Sequence, residues 1–404
     1  MSQQISNAQY ISLANQYGTP LYVYHIEKIT EQYNLLLAAF ENVDTRLFYA
    51  CKALSNINIL RHIKSLGCNI DCSSINEVML ALKAGFEPQN ILFTSSNIDF
   101  DEIERAKEAG VHINIDSISS LKKFGIKYGH TYPVGIRLRP NIMAGGNLKI
   151  STGHVKSKFG IPLEYLDEVQ SLIKEYGICI KCLHIHTGSG IKDVDAFAKG
   201  IEVLFKVAED FPELTVIDLG GGFNVPYEPG EEGTDIVLLG KKVKEEFDWF
   251  EKTHNRKLQV WFEPGKFLVC EAGNMLAKVN VLKESGDIIF AGVNSGLNHL
   301  IRPMFYGAYH EIVNCSNPDA EKKIYTVVGN ICETDTFAED RALNEIREGD
   351  ILAFKNAGAY GFEMASNYNA RFKPAEVLMK DDQSYLIRRR DEMDDLLKNQ
   401  VDII

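Results

Sequence analysis

Between residues 46 and 265 a short run of β-branched and apolar residues recurs eight times, at 46–52, 69–74, 91–96, 112–117, 134–140, 180–188, 216–222 and 259–265. Most neighbouring runs are separated by a stretch of helical character, as at 56–66, 76–84, 101–109, 163–176 and 195–211. Ile59, His62, Ile63 and Leu66 carry the i, i+3, i+4, i+7 spacing of one buried helix stripe. Alternating βα units favour a parallel sheet, and eight of them are the count of a (β/α)8 barrel. A doubly wound open sheet is the alternative. No Gly-x-Gly-x-x-Gly turn follows the first run, so the barrel is favoured.

Beyond about residue 270 the runs at 277–282, 288–293, 325–331, 351–355, 376–379 and 385–388 follow one another through turns rather than helices. That pattern predicts an antiparallel β-domain, with a hairpin turn at Lys380-Asp381-Asp382-Gln383. The tail, 391–404, reads as a short helix. The expected division is a barrel over 25–268 and a second, β-rich domain from 269–404, against which 1–24 packs.

Composition narrows the classes of function. A formal charge of -12 over 404 residues argues against a nucleic-acid binder, while leaving room for a locally positive site that takes a small anion. No stretch approaches the roughly 20 apolar residues that cross a bilayer, and residues 1–16 lack the basic and apolar regions of a signal peptide. The 8 cysteines are scattered, which reads as reduced thiols and a cytoplasmic protein.

In a barrel, chemistry gathers at the C-terminal ends of the strands. The polar residues that stand out in the apolar runs fall there: Lys52, Asp71, Ser95-Ser96-Asn97, His184 to Ser189, Gly220-Gly221-Gly222, and Glu263-Pro264-Gly265-Lys266. Lys52 closes Phe48-Tyr49-Ala50-Cys51, where a desolvated stem would lower its pKa and make it an amine nucleophile; a lysine snorkelling to solvent is the plainer alternative. Three consecutive glycines after the seventh run suit a phosphate cradled by backbone N–H groups, or a tight turn. Glu263 ends Val260-Trp261-Phe262 and needs a partner: a pyridinium N–H or a nearby basic side chain. His184 and His186 share a strand face, but no third metal ligand at matching spacing is evident, so stacking on a flat ring or a core role is favoured over zinc. Cys179-Ile180-Lys181-Cys182 opens a strand rather than a helix, so it lacks the setting of a redox pair.

Taken in order, these pieces resemble the fold-type III pyridoxal-5′-phosphate (PLP) decarboxylases, the diaminopimelate decarboxylases above all. The resemblance runs from Gly18-Thr19-Pro20-Leu21-Tyr22-Val23-Tyr24 to Pro374-Ala375-Glu376-Val377. It is carried by Tyr49-Ala50-Cys51-Lys52-Ala53, Ser157-Lys158-Phe159-Gly160, the segment 184–189, Gly220-Gly221-Gly222-Phe223, Glu263-Pro264-Gly265, Cys332-Glu333-Thr334-Asp335 and Gly358-Ala359-Tyr360. It implies an alanine-racemase-like fold, a barrel followed by a β-domain. It further implies that Lys52 carries PLP as a Schiff base, that His186 stacks on the ring and that Glu263 pairs with the ring nitrogen. Ser189, Gly221, Gly222, Gly265 and Tyr360 would hold the phosphate, with Asp71 and Arg137 around the lysine and the ring. Arg302, Tyr306 and Tyr360 would bind the substrate, as would Lys266, which stands where the family often has arginine and so lacks the bidentate fork. Cys332 and Glu333 would come from the partner of a homodimer, Glu333 meeting the distal amino-acid end of the substrate.

The implied reaction is decarboxylation of meso-2,6-diaminopimelate to L-lysine and CO2, the last step of lysine biosynthesis, with Cys332 or Lys52 returning the proton. Rival readings are a decarboxylase of lysine, ornithine or carboxynorspermidine, an alanine-racemase-like activity, a non-catalytic homologue and a metal enzyme built on His184 and His186. No resident metal is expected.

Overall fold

The computed structural model describes residues 5–141 and 157–404 of the chain. It falls into two compact units: one of residues 32–225 and 232–267, the other of residues up to Glu31, 226–231 and 268–404. Residues 1–4 of the expected N-terminal segment lie outside the described residues.

The larger unit is a closed parallel barrel. Its strands are Thr45–Ala50, Asn69–Cys72, Ile91–Thr94, His112–Ile115, Val134–Arg139, Ile180–His184, Val216–Asp218 and Gln259–Phe262. Each pairs with the next, and the last returns to the first through Val260↔Thr45, Trp261↔Arg46 and Phe262↔Leu47. A two-residue strand, Ile161–Pro162, hangs on the fifth. Helices with one apolar face cover the outside. In Ile57–Ser65, capped by the Asn56 side chain, Ile59 and Ile63 are fully enclosed while His62 and Leu66 are half-buried.

Phe48, Leu92, Cys182, Val216 and Trp261 form one cluster, with the Phe48 and Trp261 ring centroids 4.5 Å apart. Because side chains alternate along a strand, the residues two further on point the same way. From Cys182, Val216 and Trp261 that step leads to His184, Asp218 and Glu263. The register sets Arg137 beside His184 and His184 beside Asp218. An apolar layer thus supports a charged one above it.

The smaller unit is a nine-stranded sheet. Leu21–His25 lies within it, antiparallel to Gly273–Ser285 and parallel to Ala375–Lys380. Two of the sheet's pairings are parallel, that one and Ile288–Val293 with Lys322–Val328; the rest are antiparallel. The sheet is therefore mixed rather than purely antiparallel. Both parallel pairs join strands far apart in sequence, where long connections permit a crossover. Ile312–Asn314 and Thr336–Asn344 are strands that the apolar-run pattern passes over, the second because its acidic and basic residues interrupt the run. The turn at Asp381 and Asp382 has φ of 50° and 58° between paired Lys380 and Gln383, the left-handed pair of a tight hairpin. Helix Met393–Leu397 occupies part of the tail.

Candidate active site

At the C-terminal end of the first barrel strand the chain tightens into a 3-10 turn, Cys51–Ala53, that presents Lys52. Its Nζ donates to Asp71 Oδ2 at 3.0 Å and to Ser73 Oγ at 3.4 Å, both from the end of the second strand. Asp71 is buried, and its carboxyl is pushed up to about 7. Burial raises it most and the charge of Glu263 adds, while Lys52 pulls it back. Its Oδ1 takes no hydrogen bond among the described residues.

The opposite wall is Glu263, Asp218 and His184, all buried. One ligand-type atom from each lies within 4.8 Å of the others. His184 Nε2 is 3.5 Å from Glu263 Oε1. Burial by itself would raise the Glu263 carboxyl, but His184 beside it, then Lys52 and His186, hold it below the ordinary carboxylate range. Asp218 goes the other way, driven well up by burial and by the charge on Glu263. Arg137 is buried in the same layer and packs its guanidinium 4.6 Å from the Phe159 ring centroid.

The His184–His186 pair is divided between two surroundings. His184 joins the carboxylates. His186, beyond the strand, accepts the Gly221 N–H at Nδ1 at 3.2 Å. An N–H only donates, so Nδ1 is bare and the proton sits on Nε2. Burial, reinforced by Arg137, lowers His186 to about 3, so the ring is neutral.

Gly220-Gly221-Gly222 is locked by its neighbours. The Gly220 N–H donates to Asp218 Oδ1 at 2.9 Å, and the Gly220 carbonyl accepts the Glu263 N–H at 2.8 Å. A Cβ on Gly221 would fall 2.2 Å from the Glu263 carbonyl oxygen, and Gly222 has φ of 103°. Backbone therefore lies against backbone here, which is the physical demand behind the three glycines. Gly265 packs on Ala50, bringing the end of the eighth strand against the first. Ser189 and Lys266 are half-buried in the segments after the sixth and eighth strands.

The smaller unit carries the remaining candidates. Arg302 is buried at the start of helix Arg302–Tyr306, with its guanidinium 5.1 Å from the Tyr227 ring centroid and 5.8 Å from that of Tyr306. Tyr360 holds φ of 57°, a left-handed conformation that costs a bulky residue on the order of 1–2 kcal/mol. Cys332 and Glu333 are exposed. Asn369 clamps Cys332 twice, accepting its N–H at Oδ1 (2.8 Å) and donating from Nδ2 to Sγ (3.0 Å). The Tyr368 hydroxyl donates to Glu333 Oε1 at 2.9 Å and lies 3.7 Å from Cys332 Sγ. The bond from Asn369, then that from Tyr368, lowers the thiol from its ordinary value.

Four residues of these clusters escape a reading of the sequence. Asp218 leaves a trace as a lone acid in an apolar strand. Tyr227, Tyr368 and Asn369 lie in loops whose composition signals only turns.

A family model described as pyridoxal-dependent decarboxylase, pyridoxal binding domain, matches residues 26–270. The diaminopimelate decarboxylase of Methanothermobacter thermautotrophicus is 39% identical, covering 98% of this chain and 95% of its own length. That of Haemophilus influenzae is 35% identical, covering 95% and 94%. Among solved structures, diaminopimelate decarboxylase from Helicobacter pylori complexed with L-lysine superposes with a TM-score of 0.88 at 31% identity, covering 96% of this chain and 98% of that one. The chain belongs to the diaminopimelate decarboxylase family of pyridoxal-dependent decarboxylases.

Proposed function

We propose that this chain decarboxylates meso-2,6-diaminopimelate to L-lysine and CO2, with PLP at the C-terminal mouth of the barrel, as the last step of lysine biosynthesis. The observation that carries the reading is the opposition of Lys52, paired with Asp71, and the buried, charged Glu263 on one barrel rim. The residues fit the cofactor. Glu263 is a buried carboxylate held below the ordinary carboxylate range, suited to keep a proton on a ring nitrogen. The backbone against which Gly220-Gly221-Gly222 packs leaves no room for side chains, as a close phosphate contact requires.

Lys52 would anchor the cofactor through Nζ. Ser189, Gly221, Gly222, Gly265 and Tyr360 would hold its phosphate, and the neutral His186 ring would lie against its flat face. When bound, the cofactor supplies an electron sink for the pair left behind by the departing carboxylate. Glu263 would keep a proton on the ring nitrogen, and Asp71 and Arg137 would fix the lysine and the charged layer around it. Arg302, with Tyr306, Tyr360 and Lys266, would bind a substrate carboxylate. Cys332 and Glu333 would serve the partner's site in a homodimer, Glu333 taking the distal ammonium and Cys332 giving its thiol proton to the substrate α carbon. The proposed domains are a cofactor-binding barrel of 25–268 and a β-domain of 1–24 with 269–404, and the proposed location is cytoplasmic, in keeping with 8 free cysteines.

The substrate is tested with a panel. Purified protein with PLP is incubated separately with meso-diaminopimelate, lysine, ornithine and carboxynorspermidine, and the amine products are measured. L-Lysine from diaminopimelate alone is the expected result. Turnover of a different member would overturn the substrate assignment and leave the cofactor reading in place.

A further inference from the structure

The barrel interior holds two titratable side chains that the proposed mechanism leaves unused, His184 and Asp218. Both have 0% exposure, so neither reaches substrate. Each nevertheless has a contact that bears on Glu263. His184 Nε2 faces Glu263 Oε1, and neither ring nitrogen makes another hydrogen bond among the described residues. A neutral imidazole carries one N–H, and beside a carboxylate that proton belongs on Nε2. Asp218 works through the backbone: its Oδ1 fixes the Gly220 N–H, and the Gly220 carbonyl fixes the Glu263 N–H.

Asp218 and Glu263 also present carboxyl oxygens within 4.8 Å of each other in a buried layer. Two negative charges that close, away from water, do not both persist. Lys52, Arg137 and His186 face this layer from other strands, as does Asp71. The charge rests on Glu263, which faces Lys52 and both imidazoles. With Oδ1 of Asp218 already accepting an N–H, its proton sits on Oδ2.

We infer that His184 and Asp218 are positioning residues for Glu263: an imidazole N–H and a neutral acid that together keep Glu263 charged and fixed at the cofactor's ring nitrogen. The inference rests on the proposed use of Glu263 toward that nitrogen, yet its central claim concerns the free protein. Outer partners of metal ligands are worth roughly 10- to 100-fold in affinity or activity, and loss of either side chain here should cost a similar factor.

Infrared difference spectroscopy on the cofactor-free protein at neutral pH tests it directly. One protonated-carboxyl component should disappear in Asp218→Asn and remain in Asp71→Asn, whose carboxyl, raised to about 7, gives a separate component. Asp218→Asn mimics a neutral acid and should keep PLP affinity and turnover within about threefold, the scale of a small change in one hydrogen bond. Asp218→Ala and His184→Phe should weaken PLP binding and shift the pH at which the bound cofactor's visible absorbance titrates. His184→Gln, which retains an N–H donor, should restore most of both. Survival of every protonated-carboxyl component in Asp218→Asn would overturn the inference, as would a cofactor titration that moves in none of the variants. Failure to form lysine with an unchanged infrared result would count against the proposed reaction and leave the assignment of protons intact.

Discussion

Lys52 Nζ and Asp71 Oδ2 lie 3.0 Å apart, an amine whose side chain is 44% exposed held by a carboxylate that is 1% exposed. The buried partner bears the cost of this pair. Burial first, then the charge of Glu263, raises the Asp71 carboxyl to about 7, well above its value in an unfolded chain. An acid raised on folding binds protons more tightly in the native state, so its stabilising contribution is complete below about pH 4 and is lost as pH rises through about 7. Urea unfolding of the cofactor-free protein should therefore show stability falling between about pH 4 and about pH 7, with a shallower fall in Asp71→Asn. Equal slopes in the two proteins would show that Asp71 is not the group responsible.

Lys52→Ala removes the amine through which the cofactor is anchored. Turnover should fall by about 1000-fold or more, the scale expected when a covalent nucleophile is lost. The visible absorbance of the bound cofactor should change together with the rate. Thermal stability should change little, because the side chain stands partly in solvent. Wild-type turnover by the variant would remove Lys52 from the chemistry.

The barrel was legible because its signal is repetition: eight apolar runs survive errors at any one boundary, and all eight are strands of the closed sheet. The rim residues were legible for a related reason. Lysine, glutamate and histidine at the end of an apolar strand contradict their surroundings, and that contradiction is visible without coordinates. What stayed hidden depends on contacts across the chain. Nothing local in Ser366-Asn367-Tyr368-Asn369 announces that Asn369 holds Cys332, 37 residues away. The pattern also named His184 and His186 together, since period two puts them on one face. Only register shows that one sits with Asp218 and Glu263 while the other meets Gly221.

Gly221→Ala should damage both the fold and the cofactor site. Its new Cβ would lie 2.2 Å from the Glu263 carbonyl oxygen, and that oxygen belongs to backbone that cannot rotate away. Separation of the seventh and eighth strand ends would relieve the clash at a cost of about 1–3 kcal/mol, the usual range for overpacking. Denaturant unfolding reads the loss, and a parallel titration with PLP should show weaker binding. A variant as stable as wild type, with unchanged affinity, would mean that the strand ends are looser than their packing indicates.

Asn369→Asp separates the two halves of the clamp on Cys332. An aspartate can still accept the Cys332 N–H, as Asn369 Oδ1 does, but has no donor for Sγ and adds a negative charge beside it. The thiol should lose its lowered pKa and become a weaker acid. Alkylation of Cys332 followed by mass spectrometry across pH should show its reactivity moving to higher pH, and turnover should fall by about 10-fold, less than the roughly 100- to 10,000-fold that a whole general acid–base group contributes. Unchanged reactivity would show that the bond from Asn369 does not tune the thiol.

The homodimer is tested by complementation. Lys52 stands on the barrel unit, and Cys332 stands exposed on the other unit of the same chain. If the two serve one site from different subunits, Lys52→Ala and Cys332→Ala homodimers are each defective, but a mixed dimer contains one site with both residues intact. Randomly reassorted subunits give half mixed dimers, each with one complete site of two, so activity should recover to about a quarter of wild type. Recovery should require conditions that let subunits exchange, and light scattering should report a dimer throughout. Full exchange without recovery would place both residues in a site built by a single chain, and would move Glu333 there with them.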